Sequence, residues 1–258
     1  MQALRIAASG MIAQQYNTEM IANNLANLNT TGFQRQRAEF HDLIYKNVAR
    51  PESVSSSGGD IVPSGIHSGL GVQLAATYRI FEQGSLKQTD NNLDIAIQGK
   101  GFFQLQLPNG ELAYTRNGSF QIDAGGQLVN ADGLPVQPGI SIPADAVQVI
   151  ISASGDVQAL QQGQITPSTL GTIQIANFAN PGGLDAKGGN LFVETPASGT
   201  VALAAPGETS NGTLLQGFIE TSNVNPIEEV ASLVRAQRAY EMNSKVISTA
   251  DAVLSSGK

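Results

Sequence analysis

Apolar positions recur every seven residues at both ends of the chain. Near the start, Leu4, Met11, Thr18 and Leu25 form one series, and Ala7, Gln14, Ile21 and Leu28 form the interleaved one. A seam of period 3.5 predicts a helix that pairs with another helix. Gln14 and Thr18 dilute it, and Gly10 inside it costs about 1 kcal/mol relative to alanine. The helix is expected to stop near residues 29–32, where Gly32 suits the position just past a helix end. At the far end, Asn225 and Pro226 read as N-cap and first helical residue, with Glu228 and Glu229 near the positive end of the dipole. Leu233, Tyr240, Ile247 and Leu254 then repeat by sevens, with Ala236, Asn243 and Ala250 between them and Val230 and Val234 widening the face. Both stripes are narrow and partly polar, so these helices depend on packing against each other, against neighbouring copies, or both.

The middle has a different period. Residues 99–136 read as short strands between Asn109-Gly110, Asn117-Gly118, Gly125-Gly126 and Asp132-Gly133. Asn-Gly and Asp-Gly favour tight hairpin turns, and turns about eight residues apart predict an antiparallel meander in a sandwich or barrel. Further strands are expected over 146–151, 172–178, 191–194 and 214–221. The fold class is therefore α+β, an antiparallel β middle flanked by terminal helices that pair as a coiled coil. Residues 51–60 are rich in Ser and Gly and read as a flexible loop, and 61–71 as an extended, turn-rich continuation.

Composition narrows the function. The 258 residues carry 14 Lys+Arg against 21 Asp+Glu, a formal charge of −7, with no basic run. Nucleic acid and anionic membrane surfaces are poor partners for such a chain. Charged side chains make up 14% of residues, against about 25% in an average soluble domain. Gln and Asn, 22 and 18 of them, take their place, giving a surface that hydrogen-bonds with little repulsion. There is no cysteine, which excludes disulfides, thiolate catalysis and cysteine-ligated zinc. No apolar run reaches the roughly 20 residues of a membrane-spanning helix. The first ten residues lack the sustained apolar core of a cleaved signal peptide.

The chemistry-bearing residues do not assemble into a catalytic pattern. His41 and Asp42 are neighbours and do not face each other. His67 lies near Ser64 and Ser68 without an orienting third group. Residues 90–94 hold several side-chain oxygens but have Ile95 where a calcium loop needs glycine and Gly101 where it needs glutamate. Gly99-Lys100-Gly101 lacks the third glycine and the helix of a dinucleotide site. No catalytic, cofactor or metal residue is assigned, and a structural protein is expected. A secreted, β-rich carbohydrate-active enzyme is the rival from another class, predicting a self-contained monomer with two close carboxylates.

Residues 21–33, Ile-Ala-Asn-Asn-Leu-Ala-Asn-Leu-Asn-Thr-Thr-Gly-Phe, resemble the amino-terminal motif of bacterial flagellar rod and hook proteins. Residues 221–229, 237–245 and 249–251 match the carboxy-terminal half of that family, and 94–103 and 114–121 its centre. The motifs run in family order over essentially the whole chain. The length and the residues 63–71 are most similar to distal-rod members, with hook or proximal rod subunits as the alternative. Gln34 departs from a frequent lysine after Gly-Phe, and residues 231–233 vary a usually Met-rich run.

The resemblance implies an axial subunit polymerising into a hollow helical tube, exported by the flagellum's own apparatus. It implies proximal rod and hook proteins and the surrounding P- and L-ring proteins as partners, with no cofactor. It implies an inner helical domain (1–32 and 224–258), a connecting region (33–95 and 190–223) with a long loop over 46–71, and an outer β domain (96–189). The loop, with Pro51, Gly58, Gly59, Pro63, Gly65, Gly69 and Gly71, is associated in the family with a straight, stiff rod. Candidate subunit-interface residues are Leu4, Met11, Ile21, Leu25, Leu28, Leu233, Tyr240, Asn243, Ile247 and Leu254. Asn23, Asn24 and Asn27 are either a solvated polar face or amides that set register between subunits.

Overall fold

Both terminal heptad patterns fold as single helices, α1 (Gln2–Ala26) and α2 (Pro226–Ser256), in the computed structural model, which describes residues 2–49, 66–164, 166–208 and 211–256. At about 1.5 Å per residue they are about 38 and 46 Å long. α1 stops earlier than its hydrophobic period suggests. The Asn27 carbonyl accepts from Thr30 N and its side chain accepts from the Thr30 hydroxyl, so the polar residues 27–31 form turns in place of a further helical turn. Leu28 consequently lies outside the helix.

The chain divides into two compact units. The first contains residues 1–25, 36–78 and 226–258. Its helices run antiparallel: Gly10 lies against Asn243, and Asn24 lies against Glu229. Gln36–Asp42 pairs with Val72–Arg79, and Tyr45–Ala49 pairs antiparallel with Ile66–Gly69, placing Tyr45 opposite Gly69. Parts of the expected long loop are thus strands. Its central portion, with Pro51, Gly58, Gly59, Pro63 and Gly65, lies outside the described residues.

The second unit, residues 26–35 and 79–225, is the β part. Phe102–Gln106 is its centre. It pairs with Leu112–Thr115 on one side and Ile175–Asn177 on the other, and Val136–Gln137 also joins it. Leu191–Val193 and Asp185–Gly188 extend the sheet beyond Leu112–Thr115, and Ala202–Ala204 extends it beyond Ile175–Asn177. Ala146–Ile151, Asp156–Gln161 and Ser168–Thr172 form a separate three-stranded sheet. Thr213–Gln216 pairs with Ile95–Gln98, and Phe218–Glu220 with Leu86–Gln88. No sheet closes into a barrel among the described residues.

Strand alternation divides the interior in two. Phe103 and Leu105 face a core that includes Ile95, Ile97, Phe120, Ile140, Ile175 and Leu214. Phe102 faces the other way, into an aromatic cluster with Tyr114, Phe178 and Phe192. These rings meet edge to face, with Tyr114 and Phe178 centroids 4.8 Å apart, an arrangement worth about 0.5–1.5 kcal/mol per pair beyond burial. The expected strand 214–221 is interrupted at Gly217, whose φ of 74° breaks it into two pieces that pair with different partners.

Candidate assembly interface

The α1/α2 pair is built around small residues. Ala7, Ala13 and Ile21 are the buried apolar positions of α1, and Ala236 is that of α2. Gly10 now has a packing reason: a Cβ there would stand 2.8 Å from Asn243 Nδ2, so glycine lets the helices approach at this point. Fourteen residues further along α1, Asn24 is 2% exposed. Its Oδ1 accepts from Gln36 N at 2.8 Å, and its Nδ2 donates to Gln36 O at 2.9 Å and to the Glu229 carboxylate at 3.4 Å. Glu229 lies fourteen residues back from Asn243, so both contacts share one antiparallel register.

Asn24 therefore departs from both sequence expectations. It neither faces solvent nor is available to a neighbouring subunit. Its amide closes the turn from α1 into Gln36–Asp42 by pairing with both backbone groups of the half-buried Gln36. Asn23 lies on the exposed side of α1, while Asn27 is half-buried in the turn after it.

The remaining interface candidates are incompletely covered. Leu4, Met11, Leu25, Leu28, Leu233, Asn243 and Ile247 are half-buried. Tyr240 and Leu254, expected in the seam, are 42% and 48% exposed. Val230 and Val234, expected to widen the buried face, are also exposed. The buried or half-buried positions of α2 are 229, 232, 233, 236, 239, 243, 247 and 250, a stripe narrower than the apolar surface of the helix. Leu4 lies with Lys245, Ala250 and Leu254 beside an open groove of about 520 Å³ where the start of α1 meets the end of α2.

The strand pairs of this unit are tied to α1 through side chains. Val72 N donates to Ser9 Oγ at 3.3 Å, and Gln2 Nε2 donates to Ser68 Oγ at 3.1 Å. Gly71 O accepts from Leu43 N at 2.8 Å. His41 bonds Gln73 at 2.9 Å, consistent with a surface role and not a dyad with Asp42.

Within the β unit, the sequence motifs converge on a buried ion pair that sequence reasoning did not find. Arg116 is 6% exposed and Glu220 1%. Arg116 Nε donates to Glu220 Oε2 at 2.8 Å, and Nη2 stands 2.6 Å from the same oxygen. Arg116 Nη1 donates to the Gly99 and Gly101 carbonyls at 2.9 and 2.8 Å, so the glycine pair cradles a guanidinium. Glu220 Oε1 accepts from Gly84 N at 3.1 Å and from Gln34 Nε2 at 3.4 Å. Gln34 Oε1 in turn accepts from Asn223, whose amide also donates to the carbonyls of Ile80 and Glu82. Gly32 fits the same knot: φ is 68°, and a Cβ would stand 2.7 Å from Asn117 N. The available signal was an Arg and a Glu inside otherwise apolar, turn-rich segments of a chain poor in charge.

The Asp90–Asp94 segment is a polar turn. Asp94 accepts from Thr89 Oγ1 at 2.7 Å and Asn91 Nδ2 at 3.0 Å. Among the described residues no group of acidic or histidine side chains is arranged to hold a metal ion, and no helix is long and apolar enough to cross a membrane.

Three family models match in order along the chain: flagella basal body rod protein over 4–34, the flagellar hook protein FlgE/F/G D1 domain over 96–159, and the flagellar basal body rod FlgEFG protein C-terminal region over 215–258. The flagellar basal-body rod protein FlgG of Caulobacter vibrioides is 58% identical over 98% of this chain and 97% of its own length. Its namesake in Borreliella burgdorferi is 47% identical over 98% and 96%, and that of Bacillus subtilis 36% over 98% and 97%. A flagellar basal-body rod protein FlgF from Mesorhizobium japonicum is less similar, 32% over 93% and 89%. Helical ends flanking an antiparallel β middle, together with full-length similarity to these proteins, establish that the chain belongs to the flagellar basal-body rod protein family.

Proposed function

We propose that this chain is a structural subunit of the distal rod, polymerising helically into the hollow shaft that carries torque from motor to hook. The supporting observation is α2. It has 31 residues and, among those whose burial is described, buries only Glu229 and Ala236, while Met242, Val246, Val253 and Leu254 stay exposed. A helix of that length with that little covered surface is incomplete without neighbours. Contacts between unlike surfaces of identical copies do not close, and they generate a helical tube.

In this reading Leu4, Met11, Leu25, Leu28, Leu233, Tyr240, Asn243, Ile247 and Leu254 face the inner interface between subunits, Ile21, expected there, is instead buried within the helical unit, and Asn24 holds the local turn. Residues 33–95 and 190–223 form the connecting region, 96–189 the outer β domain, and the segment around Gly69 and Gly71 stiffens the shaft. Proximal rod and hook proteins bind the two ends, the P- and L-ring proteins surround the outside, and the flagellar export apparatus delivers the chain.

The test is substitution at the helical seam. Leu25→Asp or Ile247→Asp should abolish assembly while the circular dichroism and urea transition of the β unit stay unchanged. Normal rods from either variant would overturn the reading.

A further inference from the structure

α2 carries a second periodic stripe beside its seam. Arg235, Ala239, Met242, Val246, Thr249 and Val253 follow one another by steps of four and three, each one residue before a position of the seam series 236–254. That offset turns the stripe about 100° around the helix from the seam. Ala239 is half-buried and the others are exposed, Met242 at 63% and Val253 at 65%. Val246, Thr249 and Val253 also line the open groove of about 520 Å³ that Ala3 and Leu4 border from α1. A helix with two heptad series one residue apart presents faces to two partners, and α1 of its own copy covers one of them.

α1 has a matching surface. Arg5, Ser9, Ile12, Tyr16, Glu19 and Asn23 follow the same steps on the side turned away from the buried Ala7 and Ile21. Ser9 is half-buried and the others are exposed, with Ile12 and Tyr16 at the middle of the stripe. The two stripes can be laid together in either direction. In parallel, Arg5 meets Arg235 and Glu19 meets Thr249, so like charges oppose. Antiparallel, Ile12 meets Val246, Tyr16 meets Met242, and Glu19 meets Ala239, with Arg235 and Arg238 within about one turn. Arg5 then lies over the last turn of the other α2, at the negative end of its dipole. Glu19 accepts a hydrogen bond from Gln15 at 3.1 Å and Arg235 donates one to Ser232 at 2.9 Å, and among the described residues neither of them nor Arg238 is in an ion pair. The charges therefore select the antiparallel arrangement. Within each copy α1 and α2 are antiparallel, so copies set side by side in one orientation bring α1 to the neighbouring α2 in that same sense.

We propose that this second stripe of α2 receives the outer face of α1 from a second copy of this chain, antiparallel, with Ile12 on Val246, Tyr16 on Met242 and Glu19 between Arg235 and Arg238. The contact joins unlike surfaces, so it propagates without closing. It rests on the polymer reading and deepens it, naming the element of the neighbour that completes α2 and its register.

Disulfide trapping in the assembled full-length chain tests it, because the protein has no cysteine of its own. Tyr16→Cys with Met242→Cys should give a ladder of oligomers on a non-reducing gel, and neither single variant should. Arg5→Cys with Arg235→Cys, adjacent in the parallel arrangement and about 27 Å apart in the antiparallel one, should give none. Charge exchange is the second readout. All three charged positions are exposed, so the helices should form in every variant, as circular dichroism would show. Glu19→Arg should raise the concentration needed for assembly about tenfold or more, and adding Arg235→Glu and Arg238→Glu should restore it. Tubes that form without a ladder from the Tyr16→Cys, Met242→Cys pair, a ladder from the Arg5→Cys, Arg235→Cys pair, a Glu19→Arg variant that assembles normally, or a triple variant that does not recover would each overturn the proposal and leave the polymer reading in place. An unmodified chain that forms no tubes would overturn the polymer reading itself, and the proposal with it.

Discussion

Removing one partner of the Arg116–Glu220 pair should destabilise the β unit strongly. Glu220→Leu leaves a guanidinium that is 6% exposed with only the Gly99 and Gly101 carbonyls as acceptors. Breaking a buried pair by deleting one member costs about 3–5 kcal/mol, because the other charge stays buried. Arg116→Met has the mirror effect: Glu220 keeps Gly84 N and Gln34 Nε2 but loses its countercharge. The double variant buries no orphan charge, so its cost should not exceed that of either single change, giving a coupling of at least about 3 kcal/mol. With a urea slope of about 2 kcal/mol per molar, each single substitution should lower the unfolding midpoint by about 1.5–2.5 M. The chain has no tryptophan, so circular dichroism and tyrosine fluorescence are the probes. Single effects that simply add, within about 0.5 kcal/mol, would show that the pair is not the knot described here.

Three further outcomes follow from particular contacts. Asn24→Leu should cost about 1–3 kcal/mol in the helical unit, because Gln36 N and O lose their side-chain partners; amide exchange at Gln36 should quicken. Gly10→Val places a branched side chain against the Asn243 amide, so assembly should weaken although helix propensity improves; an unchanged assembly threshold would show that the close approach is dispensable. The Ser154 and Thr172 hydroxyls, with a lesser part from Ser152, hold the Asp156 carboxyl below its ordinary value against an opposing desolvation. Its contribution is then fully present above the unfolded value of about 3.9 and is lost as pH falls through the lower folded value. A carbon-13 NMR titration should find its midpoint below 3.9, and Ser154→Ala should raise it.

The parts legible in the sequence were those with a strong local cause. The heptads of α1 and α2 are periodic over more than three turns, Pro226 marks the start of α2, and Asn-Gly turns bracket Phe102–Gln106 and Leu112–Thr115. Asp185–Gly188 carried no such mark, because all four of its residues are exposed although it pairs locally with Leu191–Val193; Ala202–Ala204 carried none because it pairs with Ile175–Asn177, far back in the chain. Gln36–Asp42 was hidden for the same reason: its partner begins thirty residues later, at Val72. The seam was legible as a stripe but not in width, since Tyr240 and Leu254 satisfy the period yet stay exposed. The Arg116–Glu220 pair joins residues 104 positions apart, a proximity that no local pattern encodes.

The central claim, that the helical unit is completed by neighbouring copies, is tested most directly by amide hydrogen exchange on the monomer and on the assembled tube. The account predicts fast exchange along α1 and α2 in the monomer, strong protection of both in the tube, and slow exchange at Ile95, Phe103 and Ile175 in either state. Helices already as protected in the monomer as that β core would contradict it.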